Sequence, residues 1–273
     1  MLVKVFAIWT FFTFSVNVVF SQDFDKYEAW LDKSLKEGKI SKEVYDATMS
    51  KLPQVKTFSK FRKKSRSLLF SLAKEDGVSL KSNTTAIPKL MPFEPSSMNA
   101  VLQKPYTTIV FNGKEFDIRN LKGGHNGSVA GACVTQRPIF NPITKKWEIN
   151  VLNNLINFDF PTPLGLVKVT SFNEPGEPEG KVVSHSDELP VYPVDSTFSV
   201  RLRAEIGENI YVSPKPINLT SKNLTSWPPK KGSVYINVDT VEFIPEGADK
   251  ETPSTFTIKP DLTIIEDVST VKE

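Results

Sequence analysis

Two periodicities divide the chain. Up to residue 76 apolar positions recur at spacings of three and four, and from Thr107 onward they recur at every second residue. In the first part Phe24, Tyr27, Trp30, Leu31 and Leu35 form a helical stripe over 23–52. Gly38 supplies a stop, and Ser41 can cap a second helix, "SKEVYDATMSKL", which is expected to end before Pro53. A third helix is predicted over 58–76, with Phe58, Phe61, Leu68, Leu69 and Leu72 on one side. Residues 77–105 carry Pro88, Pro92, Pro95 and Pro105 among Ser and Asn, and read as a linker or an irregular crossing segment.

The second part reads as strands. In "TTIVFNGKEFDI" the pair Asn112-Gly113 stands between two alternating apolar runs, the signature of a two-residue hairpin turn. "SVAGACVTQ" follows as a strand. In "KWEINVLNNLINFDF" Trp147, Ile149 and Val151 alternate, and then Ile156, Phe158 and Phe160 take over. That change of phase predicts a bulge or break near Asn153-Asn154. Further strands are expected in "GLVKVTSF", "STFSVRLRAEI", "ENIYVS", "GSVYINVDTVEFI" and "STFTIKPDLTII". The expected fold is mainly β with N-terminal helices (α+β): an antiparallel curled sheet, sandwich or barrel of about eight or nine strands. No βαβ alternation occurs, which argues against a doubly wound nucleotide fold. The layout is a leader over 1–21, a helical segment over 22–76, the proline-rich segment over 77–105, an antiparallel β domain over 106–265 and an acidic tail over 266–273.

The leader bears on compartment. "MLVKVFAIWTFFTFSVNVVFS" has one early lysine, an apolar run, and the small residues Val19 and Ser21 at cleavage-site spacing. This is the layout of a secretory signal peptide, with the mature chain starting at Gln22. The run is short for a spanning helix and contains Ser15 and Asn17, and no later stretch approaches a span. A secreted, extracellular product without a stable membrane span is expected. In a lumenal chain Asn-x-Ser/Thr is a sugar acceptor, usually on a surface loop. The matches are Asn83, Asn126, Asn218 and Asn223, the last two just before the loop signal "WPPKKG". Cys133 is the only cysteine, so no disulfide forms within the chain and the core must hold the fold. Its place in an alternating segment makes it a small buried strand residue.

Charge excludes little by itself. Lys and Arg number 34 against 31 Asp and Glu, a near balance. Basic residues crowd 56–66, and acidic ones the chain after Val238. The basic run is short and the chain is expected to be secreted, so no nucleic-acid surface is assigned. A solvated helix face, a processing site near Arg66, or attachment to an anionic membrane or glycan would each fit. The two histidines, His125 and His185, lack ligand spacing for zinc. There is no Gly-x-Ser-x-Gly elbow, and the glycine-rich "KGGHNG" lacks the Lys-Ser/Thr of a phosphate loop. A non-enzyme without metal or cofactor is the expectation.

One resemblance is visible in "NGKEFDIRNLKGGHNGSVAGACVTQ", "KKWEINVLNNLINFDF" and "GLVKVTSF", within residues 112–172. The succession resembles that of arthropod secreted lipid carriers related to juvenile-hormone-binding proteins and group 7 mite allergens. There a strand ending in Asn-Leu/Ile leads to a Gly-containing turn and long curled strands; Asn120-Leu121 and Gly123-Gly124 match. Those families close the sheet around a long amphipathic helix near the C-terminus. Residues 244–273 here, with Pro245, Pro253 and Pro260, cannot supply one. The resemblance implies an apolar groove that takes a lipid or other apolar small molecule, with Trp147, Ile149, Phe158, Phe160 and Phe198 as candidate groove residues. Plain core packing is the competing role for each of them. Two other functions fit the residues: a structural or adhesive extracellular protein of unknown protein partner, and a membrane-active toxin or defence protein released near Arg66.

Overall fold

The computed structural model describes residues 23–75, 88–102, 108–111, 113–117, 129–162, 165–172, 179–237, 239–254, 256–259 and 261–271. The expected leader, Asn83, Asn126 and His125 lie outside them.

Helix α1 runs Phe24–Lys36. Asp23 caps it by accepting from Lys26 N at 3.1 Å. Gly38, at φ +67°, turns the chain, and Ser41 Oγ accepts from Val44 N at 3.3 Å to start the next helix. That helix, α2, does not stop at Pro53. It runs Lys42–Glu75 with the proline inside it, so the expected second and third helices are one. A mid-helix proline costs a hydrogen bond, but Leu52 and Val55 flank it and are fully buried against the body. Tertiary burial of the apolar stripe outweighs the local penalty.

Fifteen strands follow among the described residues, where about eight or nine were expected from uninterrupted alternation. They are β1 Ser96–Leu102, β2 Thr108–Phe111, β3 Lys114–Asp117, β4 Val129–Thr135 and β5 Ile139–Asn141. Then come β6 Lys146–Thr162, β7 Gly165–Phe172, β8 Gly180–Ser184, β9 Val194–Ile206 and β10 Asn209–Val212. The last are β11 Ile217–Leu224, β12 Val234–Asn237, β13 Val241–Pro245, β14 Phe256–Ile258 and β15 Asp261–Val271. All described pairings between them are antiparallel.

The hairpin at Gly113 forms as expected, Phe111 pairing with Lys114 and Thr108 with Asp117. So does the irregularity in β6. Ala132 pairs with Leu155 but Val134 with Leu152, which puts Asn153 and Asn154 together opposite one residue of β4. Two boundaries move. The proline-rich segment 77–105 contains β1, which pairs on both sides, with β15 and β4. Its prolines at 88, 92, 95 and 105 flank the strand and leave its N–H groups free to pair. The acidic tail also enters the sheet, because β15 extends to Val271 and pairs with β1.

Hydrogen-bonded neighbours run β11–β12–β15–β1–β4–β6–β7–β9, and β9 pairs back to β11. Part of the sheet thus forms a circuit. The sheet as a whole is curled and unclosed, since the path runs on from β9 through β10, β13, β14 and β2 to β3. Three apolar cores result. One fills the described part of the circuit, with Met98, Cys133, Ile149, Val182, Phe198 and Tyr235. A second joins the C-terminal half of β9 to β2, β7, β13 and β14 around Phe243 and Phe256. The third packs α1 and α2 on β5 and the start of β6 through Tyr27, Leu31, Leu52, Phe140 and Trp147.

Gly180 marks a tight approach within the circuit. A Cβ there would stand 2.4 Å from the backbone oxygen of Thr197 on β9. Gly180→Ala is expected to destabilise the fold by about 1–3 kcal/mol, read as a lowered urea midpoint. An unchanged midpoint would show that the β8–β9 contact has slack the structure does not display.

Candidate functional site

The interior of the strand circuit is the candidate site. Its described centre is aromatic. The Phe198 ring lies 5.1 Å from that of Tyr235 and 6.0 Å from that of Trp227. Alternation along β9 aims Phe198 inward from the same face as Val194 and Ser196. Described polar groups of this interior bond to one another. Tyr235 OH donates to Ser196 Oγ at 3.1 Å, and Trp227 N donates to Tyr192 OH at 2.6 Å. The Trp227 indole Nε1 is buried and has no hydrogen-bond partner. Cys133 is buried here as a free thiol: burial, and secondarily the Glu179 carboxylate, push it up to about 12. It stays a neutral thiol at physiological pH.

The expected groove residues do not all meet. Ile149 and Phe198 share the circuit interior. Trp147 is two residues before Ile149 on the same face of β6, yet it lies in the core beneath the helices. Its ring meets Phe140 edge-on at 5.7 Å, and its Nε1 donates to Glu188 O at 3.2 Å. Phe158 and Phe160 pair in register with Val169 and Val167 of β7; their side chains lie outside the described residues.

Asn218 and Asn223 are exposed, but on strand β11 rather than on a loop. Asn223 sits at the irregularity between Ser221 and Leu224 with φ +57°, a conformation Asn tolerates. Its backbone N–H donates to Asp195 Oδ1 at 3.0 Å, and His185 Nε2 lies 2.8 Å from the same oxygen. Burial alone would raise the Asp195 carboxyl, but the Asn223 and His185 hydrogen bonds hold it below the ordinary carboxylate range. Ser184, next to His185, turns its hydroxyl to Val191 O at 2.7 Å, so the trio is not a nucleophile relay.

Three features escaped the sequence. Glu148 is 3% exposed on β6. It accepts from Thr144 Oγ1 at 2.7 Å, from Asn141 Nδ2 at 3.2 Å and from Lys181 Nζ at 3.0 Å. Burial pushes its carboxyl up, and these donors together outweigh that and hold it below 4.5. Arg137 keeps Nε and Nη1 buried without hydrogen-bond partners, its guanidinium 6.0 Å from the Trp30 ring centroid, while its Nη2 donates to Glu94 at 3.0 Å. A polar cleft of about 430 Å³ lies between Lys215, Asn237, Asp239 and Glu242. Among the described residues no three His, Cys, Asp or Glu side chains gather where they could hold a metal ion. No described helix is long and apolar enough to cross a membrane.

No family model matches the chain, and no curated protein matches it. Among solved structures it is similar to DynF from the dynemicin biosynthesis pathway of Micromonospora chersina. That alignment has 12% identity and a TM-score of 0.41, covering 66% of this chain and 82% of the other.

Two measurements test this geometry. In the native protein at neutral pH, Cys133 is expected to resist a disulfide-exchange reagent and to react on unfolding. Rapid native labelling would contradict its burial. Glu148 has a depressed carboxyl, so its stabilisation is full above pH 4.5 and is lost as pH falls through its lowered value. Glu148→Gln should lower the urea midpoint at neutral pH and flatten its fall below pH 4.5. An identical pH dependence in both proteins would rule out this role.

Proposed function

We propose that this is a secreted, non-enzymatic glycoprotein that binds an apolar ligand against the inward face of the curled sheet. The observation that carries the reading is the apolar inward face of the strand circuit, with one buried donor, Trp227 Nε1, left unmatched. Apolar chain buried against such a face gains about 0.8 kcal/mol per methylene. An unmet buried donor costs about 1–3 kcal/mol, which a carbonyl or hydroxyl oxygen on the ligand would recover. The ligand is therefore an apolar molecule with an oxygen acceptor at one end, held along β6 and β9. The neutral, buried Cys133 and the Ser184–His185 geometry favour binding over catalysis. The signal-like leader and the exposed Asn218 and Asn223 support secretion and glycosylation.

Solvent extraction and mass spectrometry of the protein from its own secretion should yield a stoichiometric, oxygen-bearing apolar molecule. Trp227→Phe keeps the ring and removes the donor, and is expected to weaken rebinding roughly five- to tenfold. Intact mass should begin at Gln22 and fall when Asn218→Gln and Asn223→Gln are introduced. An empty but folded native protein would overturn the binding reading, and an unprocessed N-terminus would overturn the secreted one.

A further inference from the structure

We propose that the distal half of α2 is a docking face for an anionic lipid bilayer. The helix is 34 residues long, roughly 51 Å at 1.5 Å per residue. Its proximal half serves the body: Thr48, Leu52, Val55 and Ser59 are buried at helical spacing. Among the described residues of α2 that burial ends at Ser59. Phe61, two residues on and so on the opposite face of the helix from that buried stripe, is 58% exposed. In the sequence Leu68 and Leu72 fall on the same outward face as Phe61, at spacings of seven and four.

Charge identifies the occupant. Between Asp46 and Glu75 there is no acidic residue, while eight Lys and Arg fall in the same span. Lys56, Lys60 and Lys64 stand at successive i,i+4 positions, where like charges repel and weaken an isolated helix. Lys56 is matched by Glu28 of α1 at 2.7 Å. Lys60 and Lys64 are exposed and lie beyond the reach of that pair along the axis. A solvated face would ordinarily mix signs, and a partner helix would need only the apolar stripe. A stripe of Phe and Leu beside a one-signed basic face is the arrangement of a helix lying in an anionic lipid interface. There the apolar side chains enter the acyl boundary and the ammonium groups meet headgroup phosphates and carboxylates.

The test is co-sedimentation of the full chain with phosphatidylcholine vesicles, with and without phosphatidylserine, across a salt series. Binding should require phosphatidylserine and fall as salt rises. Each lysine near such a surface contributes roughly fivefold, so Lys60→Gln with Lys64→Gln should weaken binding roughly twenty-five-fold. Phe61→Ser should weaken it further and leave the salt dependence unchanged. All three side chains are exposed, so far-UV circular dichroism and thermal melts of the variants should match the parent. Equal binding to both vesicle types, binding to neither, or undiminished binding by the lysine variant would overturn the proposal. So would capture by heparin or duplex DNA with none by vesicles.

Discussion

Strand β9 sets the architecture because it is paired on both sides over most of its length. Its N-terminal half lies between β8 and β11, and its C-terminal half between β7 and β10. The change of partners occurs within one uninterrupted strand, so two sheets share a single backbone. Burial alternates strictly over most of that strand, and the alternation permits one register. A slip by one residue would send Asp195, Thr197, Arg201, Arg203 and Glu205 into apolar cores. Because that is prohibitively costly, β9 orients four neighbours at once. Val194, Ser196 and Phe198 then define the circuit interior, while Val200, Leu202, Ala204 and Ile206 define the second core.

What was legible in the sequence follows from the range of each cause. The Asn112-Gly113 hairpin, the stop at Gly38, the cap at Ser41 and the bulge at Asn153-Asn154 each depend on a few adjacent residues. All could be read directly. The continuity of α2 through Pro53 could not, because burial of Leu52 and Val55 against distant strands decides it. The same holds for β1 and for the part of β15 beyond Ile265, where the expected strand "STFTIKPDLTII" stops. Neither has a strong apolar alternation, and each forms because a partner offers unpaired backbone groups on both sides or on one. Of the candidate groove residues, period two correctly put Trp147 and Ile149 on one face. It had no means of showing that the helices take the first and the circuit the second. Trp227 lies in a stretch whose prolines and lysines read as an exposed loop; its burial depends on Tyr192 and Phe198, some 30 residues away in sequence.

Buried polar groups separate structural from ligand-directed chemistry. Glu148 is a charge almost fully removed from water, which would be untenable alone. Three donors from the β5–β6 turn and β8 match its two oxygens, and the group ties those elements together without spare capacity. Ser196, Ser213 and Asn237 are likewise matched, by Tyr235, by Leu202 N and by the Asp239 backbone. Against that background an unmatched indole N–H inside the circuit carries information, since the surrounding interior satisfies comparable groups. The polar cleft at Lys215 and Glu242 is different in kind. Its Asn237 is already engaged by a local turn, and among the described residues lining the cleft no buried side-chain nitrogen or oxygen lacks a hydrogen-bond partner.

Helix α2 has two halves under different physical demands. The proximal half covers the end of the sheet through Leu52 and Val55, in the core that also holds Tyr27 of α1 and Trp147 of β6, and its position is set by burial. Beyond Ser59 no described residue of α2 is buried, and the lysine ladder works against the distal half. It is helical because propagation from an anchored segment costs far less than nucleation. A segment held in this way is pre-formed at no binding cost, and its amphipathicity has no use in the body that carries it. The contrast between the two halves is the physical reason to assign the distal one to a surface outside the protein. If the circuit interior holds an apolar molecule, such a surface is also where that molecule would be exchanged.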